Sequence, residues 1–268
     1  MFDTLKHLAR VYVRLLLLQL RARLEYASDF WMGFVGSALR HSAGLVFLWT
    51  ILHQVPQVKG WTLWELVLLY CLSIIPMGLV ELFYDGVVRL AEVIHDGDLD
   101  RLLLRPVPAG LQIITLSANP QGLGTLLTGG VLLSRALAEL HLSLAPWQYL
   151  FLIVSQFSSM LLIGSLYFMI HCLAFWEPVM SLSLTSLAQE MLALSRFPLS
   201  LYNQLLRVII TWLVPFAFIA YFPGAVLLGR AEVHPLLGYG APVVGVGVTL
   251  LSGLFWMACL RRYQGMGT

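Results

Sequence analysis

Residues 61–84, "WTLWELVLLYCLSIIPMGLVELFY", carry only two charges, Glu65 and Glu81, one towards each end. A helix rises 1.5 Å per residue and a bilayer's hydrocarbon core is about 30 Å thick, so about 20 mainly apolar residues cross it. The stretch has that length. Trp61 and Trp64 stand at one end, where amphipathic rings favour the headgroup level. A lipid-spanning segment must satisfy every backbone N–H and C=O internally, which leaves helices and closed barrels. Barrel strands would show as short alternating segments, and the sequence has none.

The rest of the chain fits the same environment. Of its 268 residues 59% are apolar and 11% charged, with a mean hydropathy of +0.83, whereas ordinary soluble domains carry roughly 25% charge. Further apolar runs cover 27–52, 121–140, 147–172 and 237–260, a less apolar helix covers 177–195, and Pro198, Pro215 and Pro223 punctuate 197–229. The expected fold is an all-α integral membrane protein of six transmembrane helices in a single domain, residues 1–268. An amphipathic interfacial helix covers 1–26, because Lys6, Arg10, Arg14 and Arg21 share one arc at 100° per residue. No repeat or low-complexity linker interrupts the chain.

Lys and Arg are retained on the cytoplasmic side. Lys6, Arg10, Arg14, Arg21 and Arg23 place the amino terminus inside, and alternation then places Arg89, Arg101, Arg105, Arg261 and Arg262 inside too. Two arrangements of 177–229 keep six crossings. If 177–195 crosses, 197–229 starts and finishes outside as a re-entrant pair broken near Pro215. If 177–195 lies on the inner surface, 206–228 is the fifth span. The sequence favours the re-entrant form, since prolines remove donors and broken helices at membrane depth need protein or a water-filled cavity around them.

Residues 92–108, "EVIHDGDLDRLLLRPVP", concentrate six charges in seventeen positions, and the orientation makes residues 85–108 a cytoplasmic loop. Asp96, Asp98 and Asp100 repeat like calcium-loop ligands, but Arg101 stands where a Gly is needed and Val107 where a Glu is needed. The loop reads instead as a short amphipathic helix stopped at Gly97. Such a helix is either a solvated connection or a docking knob that buries an apolar stripe in a partner, with charges fixing register.

Little else carries chemistry. There is no G-x-x-x-x-G-K-[ST] phosphate loop. Ser165 and His171 lie about 240° apart on one helix and make no catalytic pair. Cys71, Cys172 and Cys259 sit in apolar runs without metal-ligand spacing and read as packing residues. The glycines of "QGLGTLLTGG" suit close helix packing. Arg40 falls mid-span, where an unpaired guanidinium costs about 2.5 to 3.5 kcal/mol. It either lines a pathway or snorkels, and neither Glu65 nor Glu81 matches its depth.

Two segments carry a family resemblance. "FYDGVVRLAEVIHDGDLDRLLLRPVP", through Ile94, Gly97, Leu99, Asp100, Leu102, Leu103, Arg105, Pro106 and Val107, resembles the segment between the second and third spans of ABC-2 type permeases, in the branch of about 260 residues. "SRFPLSLYNQLLRVIITWLVPFAFIAYFP", through Phe197, Pro198, Tyr202, Leu206, Arg207, Pro215 and Pro223, resembles that family's stretch before and within its re-entrant gate. The resemblance implies a half-transporter in the bacterial inner membrane with both termini cytoplasmic. A second permease, the same chain or a related one, completes the pathway, and separate ATPase subunits hold ATP and Mg. This chain then needs no cofactor, has no catalytic residue and binds no nucleic acid. Coupling residues are expected at Arg89, Glu92, Gly97, Asp98, Asp100, Arg101 and Arg105, and pathway or gate residues at Arg40, Pro198, Arg207 and Pro215. An ion-coupled carrier using Arg40, His41 and Glu81 is the competing reading, and a non-transporting scaffold the third.

Overall fold

A computed structural model describes residues 2–25, 27–54 and 57–263; residues 1, 26, 55, 56 and 264–268, which include both expected cytoplasmic ends, lie outside it. The described residues form helices and no β-strand. In chain order they are α1 (Phe2–Leu24), α2 (Ala27–Gln54), α3 (Leu63–Phe83), α4 (Leu90–His95), α5 (Asp98–Leu103), α6 (Ala109–Ile114), α7 (Gln121–Glu139), α8 (Pro146–Cys172), α9 (Pro178–Leu194), α10 (Gln204–Val208), α11 (Tyr221–Leu227), α12 (Pro235–Gly238) and α13 (Ala241–Leu260). Each expected run is thus a helix, to within a few residues at its ends. The segment 197–229 is the exception, a chain of short pieces.

Among the described residues three helices are long and apolar enough to cross a membrane, α3, α8 with its short extension to Phe175, and α13; a fourth span results if the bent pair Gln204–Leu213 and Phe216–Leu227 counts as one. For α7 and α9 the reason is visible in the sequence: Gln121, Arg135 and Glu139 dilute α7, and α9 has 17 residues, or about 26 Å.

α3 is the central element. It runs antiparallel to α7, with Gly78 facing Gly122 and Ile74 and Ile75 facing Gly129, so close that a Cβ on Gly122 would meet the Gly78 carbonyl at 2.5 Å. Small residues are what let helix backbones approach in this way. α8 and α13 run parallel, since Ser158 donates to the Ala241 carbonyl (2.9 Å), Ser165 to Thr249 (3.0 Å) and Ser252 to the Ser165 carbonyl (3.1 Å). α1 docks on the carboxyl end of α3, where the Tyr12 hydroxyl donates to the Phe83 carbonyl at 2.8 Å.

The segment between α9 and α12 doubles back on itself. Near its start the Ser200 carbonyl accepts from Lys59 Nζ (2.9 Å), and just past its end Arg230 donates to the Gly60 carbonyl (2.8 Å) and to both oxygens of Glu65 (2.6 Å). Lys59, Gly60 and Glu65 all belong to the entry of α3, so both ends of the segment sit at one level. Between them the chain goes deeper, with the Ile219 carbonyl accepting from Ser159 in the middle of α8 (3.3 Å). A π-helical turn over Ile209–Leu213 precedes Val214 and Pro215, and the axis bends by 76° there. Proline supplies no N–H at that point, so continuing the helix would leave a carbonyl unpaired.

Glu65 also accepts from the backbone N–H (2.8 Å) and hydroxyl (3.0 Å) of Thr62, and Arg230 stacks 4.5 Å over the Trp61 ring. Removing one partner of such a poorly hydrated pair strands the other. Arg230→Ala is expected to cost on the order of 3 kcal/mol, read as a lowered thermal midpoint of the protein in nanodiscs. Glu65→Gln combined with Arg230→Met should recover a large part of that loss, and an unchanged midpoint in Arg230→Ala would show the pair to be superficial.

Candidate functional site

The charged loop is built on a second apolar core at the carboxyl end of α3. Val87, Leu90, Val93, Leu99 and Leu102 are buried with Ile113 of α6, Phe168 and Cys172 of α8, and Trp256 and Cys259 of α13. This corrects one expectation in part: of the apolar positions Val88, Leu90, Ala91 and Ile94, Leu90 is spent inside the chain with Val87 and Val93, and Val88 alone is exposed. The reason lies in the register. Residues 87, 90 and 93 recur every three positions, and the turn at Gly97 brings residues 99 and 102 onto the same side.

Gly97 makes that turn at φ 73°, in the left-handed region where a Cβ is strained. Gln112, buried on α6, donates to the carbonyls of Leu102 (2.9 Å) and Val107 (2.7 Å) and so pins the stretch before α6 from beneath. It was missed as a functional residue; the signal was a lone amide in the apolar sextet "AGLQII". Asp85 accepts from Ser117 at 2.6 Å, and Arg23 reaches the same hydroxyl at 3.4 Å, which joins α1 to the loop's start.

What remains outside is charge. Arg89 donates to Glu92 (2.9 Å) and Arg101 to Asp98 (3.2 Å), both pairs one turn apart and exposed. The Arg89 guanidinium holds the Glu92 carboxyl below the ordinary carboxylate range. Its folded pKa being depressed, that pairing is complete above the usual Glu range and is lost only as pH falls through the lowered value. Arg89, Asp98, Arg101 and Arg105 line one hollow of about 310 Å³, so four of the seven expected coupling residues converge. Glu92 meets it through Arg89, Gly97 shapes its edge, and Asp100 turns towards Tyr263 near the end of α13. Leu104, 87% exposed, projects beside it.

The four pathway candidates do not form one site. Pro215 stands at the 76° bend and buried Pro198 opens a short 3-10 turn, Leu199–Leu201. Arg207 donates to the carbonyls of Tyr202 (2.9 Å) and Ser200 (3.2 Å) and so braces that turn. Arg40 lies elsewhere, in a cavity of about 820 Å³ between α1, α2 and the start of α7, and among the described residues it has no ion pair. Ser37, one turn earlier on α2, bonds Thr125 (2.7 Å), which donates to Glu81 (3.1 Å). Glu81 is therefore level with Ser37 and a turn from Arg40, because α2 is tied to α7 in register with the carboxyl half of α3. His41 faces away, bonding the Tyr70 hydroxyl at 3.2 Å. Among the described residues Arg40, His41 and Glu81 share no hydrogen bond or ion pair.

A bundle of apolar helices around a doubled-back segment, with a charged loop fixed to its end, is the architecture of a multi-pass membrane protein. The chain belongs to the ABC-2 transporter family: the family model described as ABC-2 family transporter protein matches residues 39–267. That family supplies the permease components of ABC transporters, which work in the membrane in association with ATPase subunits. No curated protein and no solved structure matches the chain.

Gly97→Val should strain the turn by about 1 to 2 kcal/mol and splay the hollow, whereas Gly97→Asn, which tolerates the left-handed region better, should stay near wild type. Hydrogen exchange across residues 89–105 checks this, and equal protection in both variants would remove the turn from the loop's design.

Proposed function

We propose that this chain is the transmembrane half of an ATP-driven exporter, paired with a second permease and driven by ATPase subunits docked on the loop Asp85 to Arg105. ATP and Mg belong to those subunits, and the chain itself uses no cofactor. The observation that carries the reading is the way the loop is mounted. Its apolar side is continuous with the packing of α8 and α13, while its opposite side offers Arg89, Asp98, Arg101, Arg105 and Leu104 to a partner. A push on that rim moves whole helices, because close-packed apolar contacts transmit displacement as a rigid body. The partner's binding energy must differ between the two end states to drive the change.

The same reading arranges the rest of the chain. α2, α3, α7, α8, α9 and α13 make six crossings, α1 lies at the inner interface of the bacterial inner membrane, and both termini are cytoplasmic. The positive-inside count supports this, with ten of the sixteen cations on the loop side. Residues 197–229 dip in from the outside and return, which the anchoring of Ser200 and Arg230 at the entry of α3 supports. They form the outer gate, with Pro198 and Pro215 at its bends and Arg207 bracing its entry.

An ATPase subunit should co-purify with the chain. Charge reversal at Asp98 with Arg101, which cancels in net charge, should weaken that association roughly tenfold, a loss in the range of a disturbed charged contact. Transport by the purified chain alone under a proton gradient would end the ABC reading. A cysteine at position 207 should react with an impermeant thiol reagent added outside intact cells; reaction only from the cytoplasm would replace the re-entrant gate by a crossing at 206–228.

A further inference from the structure

The large cavity around Arg40 has the composition of a binding site. Two guanidiniums, Arg23 from α1 and Arg40 from α2, line it with the amides of Gln19, Asn119 and Gln121, and among the described residues Asp29 is the only carboxylate on its wall. Its volume of about 820 Å³ falls within the roughly 300 to 1,000 Å³ of small-molecule sites. Charge on the wall favours an anion by two to one, and arginine forks suit the oxygens of phosphate or carboxylate. Gly36 leaves the α2 wall open, since a Cβ there would meet nothing within 4 Å, whereas Gly33 packs against the Gln121 side chain.

The neighbouring surface extends the argument. Asp29, Gly33, Gly36 and Arg40 share the cavity face of α2, the adjoining face carries Met32 and Leu39, and Trp31 and Val35 lie further round the helix, all four large and exposed. A polar hollow thus adjoins an apolar stripe on one helix, beside the interfacial helix α1. A free anion would use only the first, and a plain hydrocarbon only the second.

We propose that this cavity binds the anionic headgroup of an amphiphile, its phosphate or carboxylate between Arg23 and Arg40 and its chains along Met32 and Leu39. The site lies at the inner end of the bundle, where such a molecule enters sideways from the inner leaflet. The inference deepens the permease reading, because it names the chemical class that Arg40 meets on the way into the pathway.

Native mass spectrometry of the full chain in a zwitterionic detergent, titrated with phosphatidylglycerol and in parallel with phosphatidylcholine, tests it. Wild type should retain phosphatidylglycerol in preference to phosphatidylcholine. Arg40→Gln and Arg23→Gln should each weaken that retention roughly tenfold, the size of one charge-assisted hydrogen bond. Asp29→Asn should tighten it, a gain that misfolding cannot imitate. Gly36→Leu should abolish it by filling the hollow without altering charge. Phosphatidylglycerol retention unchanged in Arg40→Gln and Gly36→Leu overturns the proposal. So does saturation by inorganic phosphate with no preference for the lipid, which would make this a free-anion site. Co-purification of the ATPase subunit with each variant is scored separately, so failure of the cavity is distinct from failure of the permease reading.

Discussion

The Arg230 guanidinium, held between both oxygens of Glu65, the Gly60 carbonyl and the Trp61 ring, ties the end of the broken segment to the entry of α3. Much of the architecture follows from that tie. The segment at 197–229 contains three prolines and too little continuous helix to satisfy its own backbone, so it cannot stand alone in lipid. With Arg230 at one end and Ser200 held by Lys59 at the other, it is folded against α3 and α8. There the Ile219 carbonyl finds Ser159 and Gly224 lets Leu69 approach. The ion pair therefore acts less as a source of net energy than as a constraint on where an unstable segment must lie.

The opposite end of the bundle, at the carboxyl end of α3, is organised on the opposite logic. Polar groups there are linked in relays across helices, from Arg23 through Ser117 to Asp85, and from Ser37 through Thr125 to Glu81. Each relay joins elements far apart in sequence and sets their register. The loop after α3 inherits a rigid base from this layer and from the apolar core of α8 and α13. Its charges consequently stay outside, and the same sequence that looked like a detachable amphipathic helix is one wall of the bundle with a charged edge.

Much of this was legible beforehand, for identifiable reasons. Helix-length apolar runs such as 61–84 and 147–172 report directly on α3 and α8, because a lipid environment leaves the backbone no other open-chain solution. Gly97 marked a helix stop, and it is one, since its left-handed conformation is a local property. Pro215 marked a break for the same kind of reason. Counting residues from each helix end puts Arg40 and Glu81 at different depths, and the Ser37–Thr125–Glu81 relay keeps them a turn apart.

By itself the sequence determined the helical class, the membrane environment, the positions of the helices and the places where they break, all of which depend on composition and nearest neighbours. The tertiary structure alone decided the pairings: Arg230 with Glu65, Gln112 beneath the charged loop, Arg23 and Arg40 across one cavity, and the inward turn of the Val87, Leu90 and Val93 stripe. Those partners lie on separate helices, and which faces meet depends on helix register and crossing, set by glycine contacts such as Gly78 with Gly122. Periodicity along one helix carries no record of that.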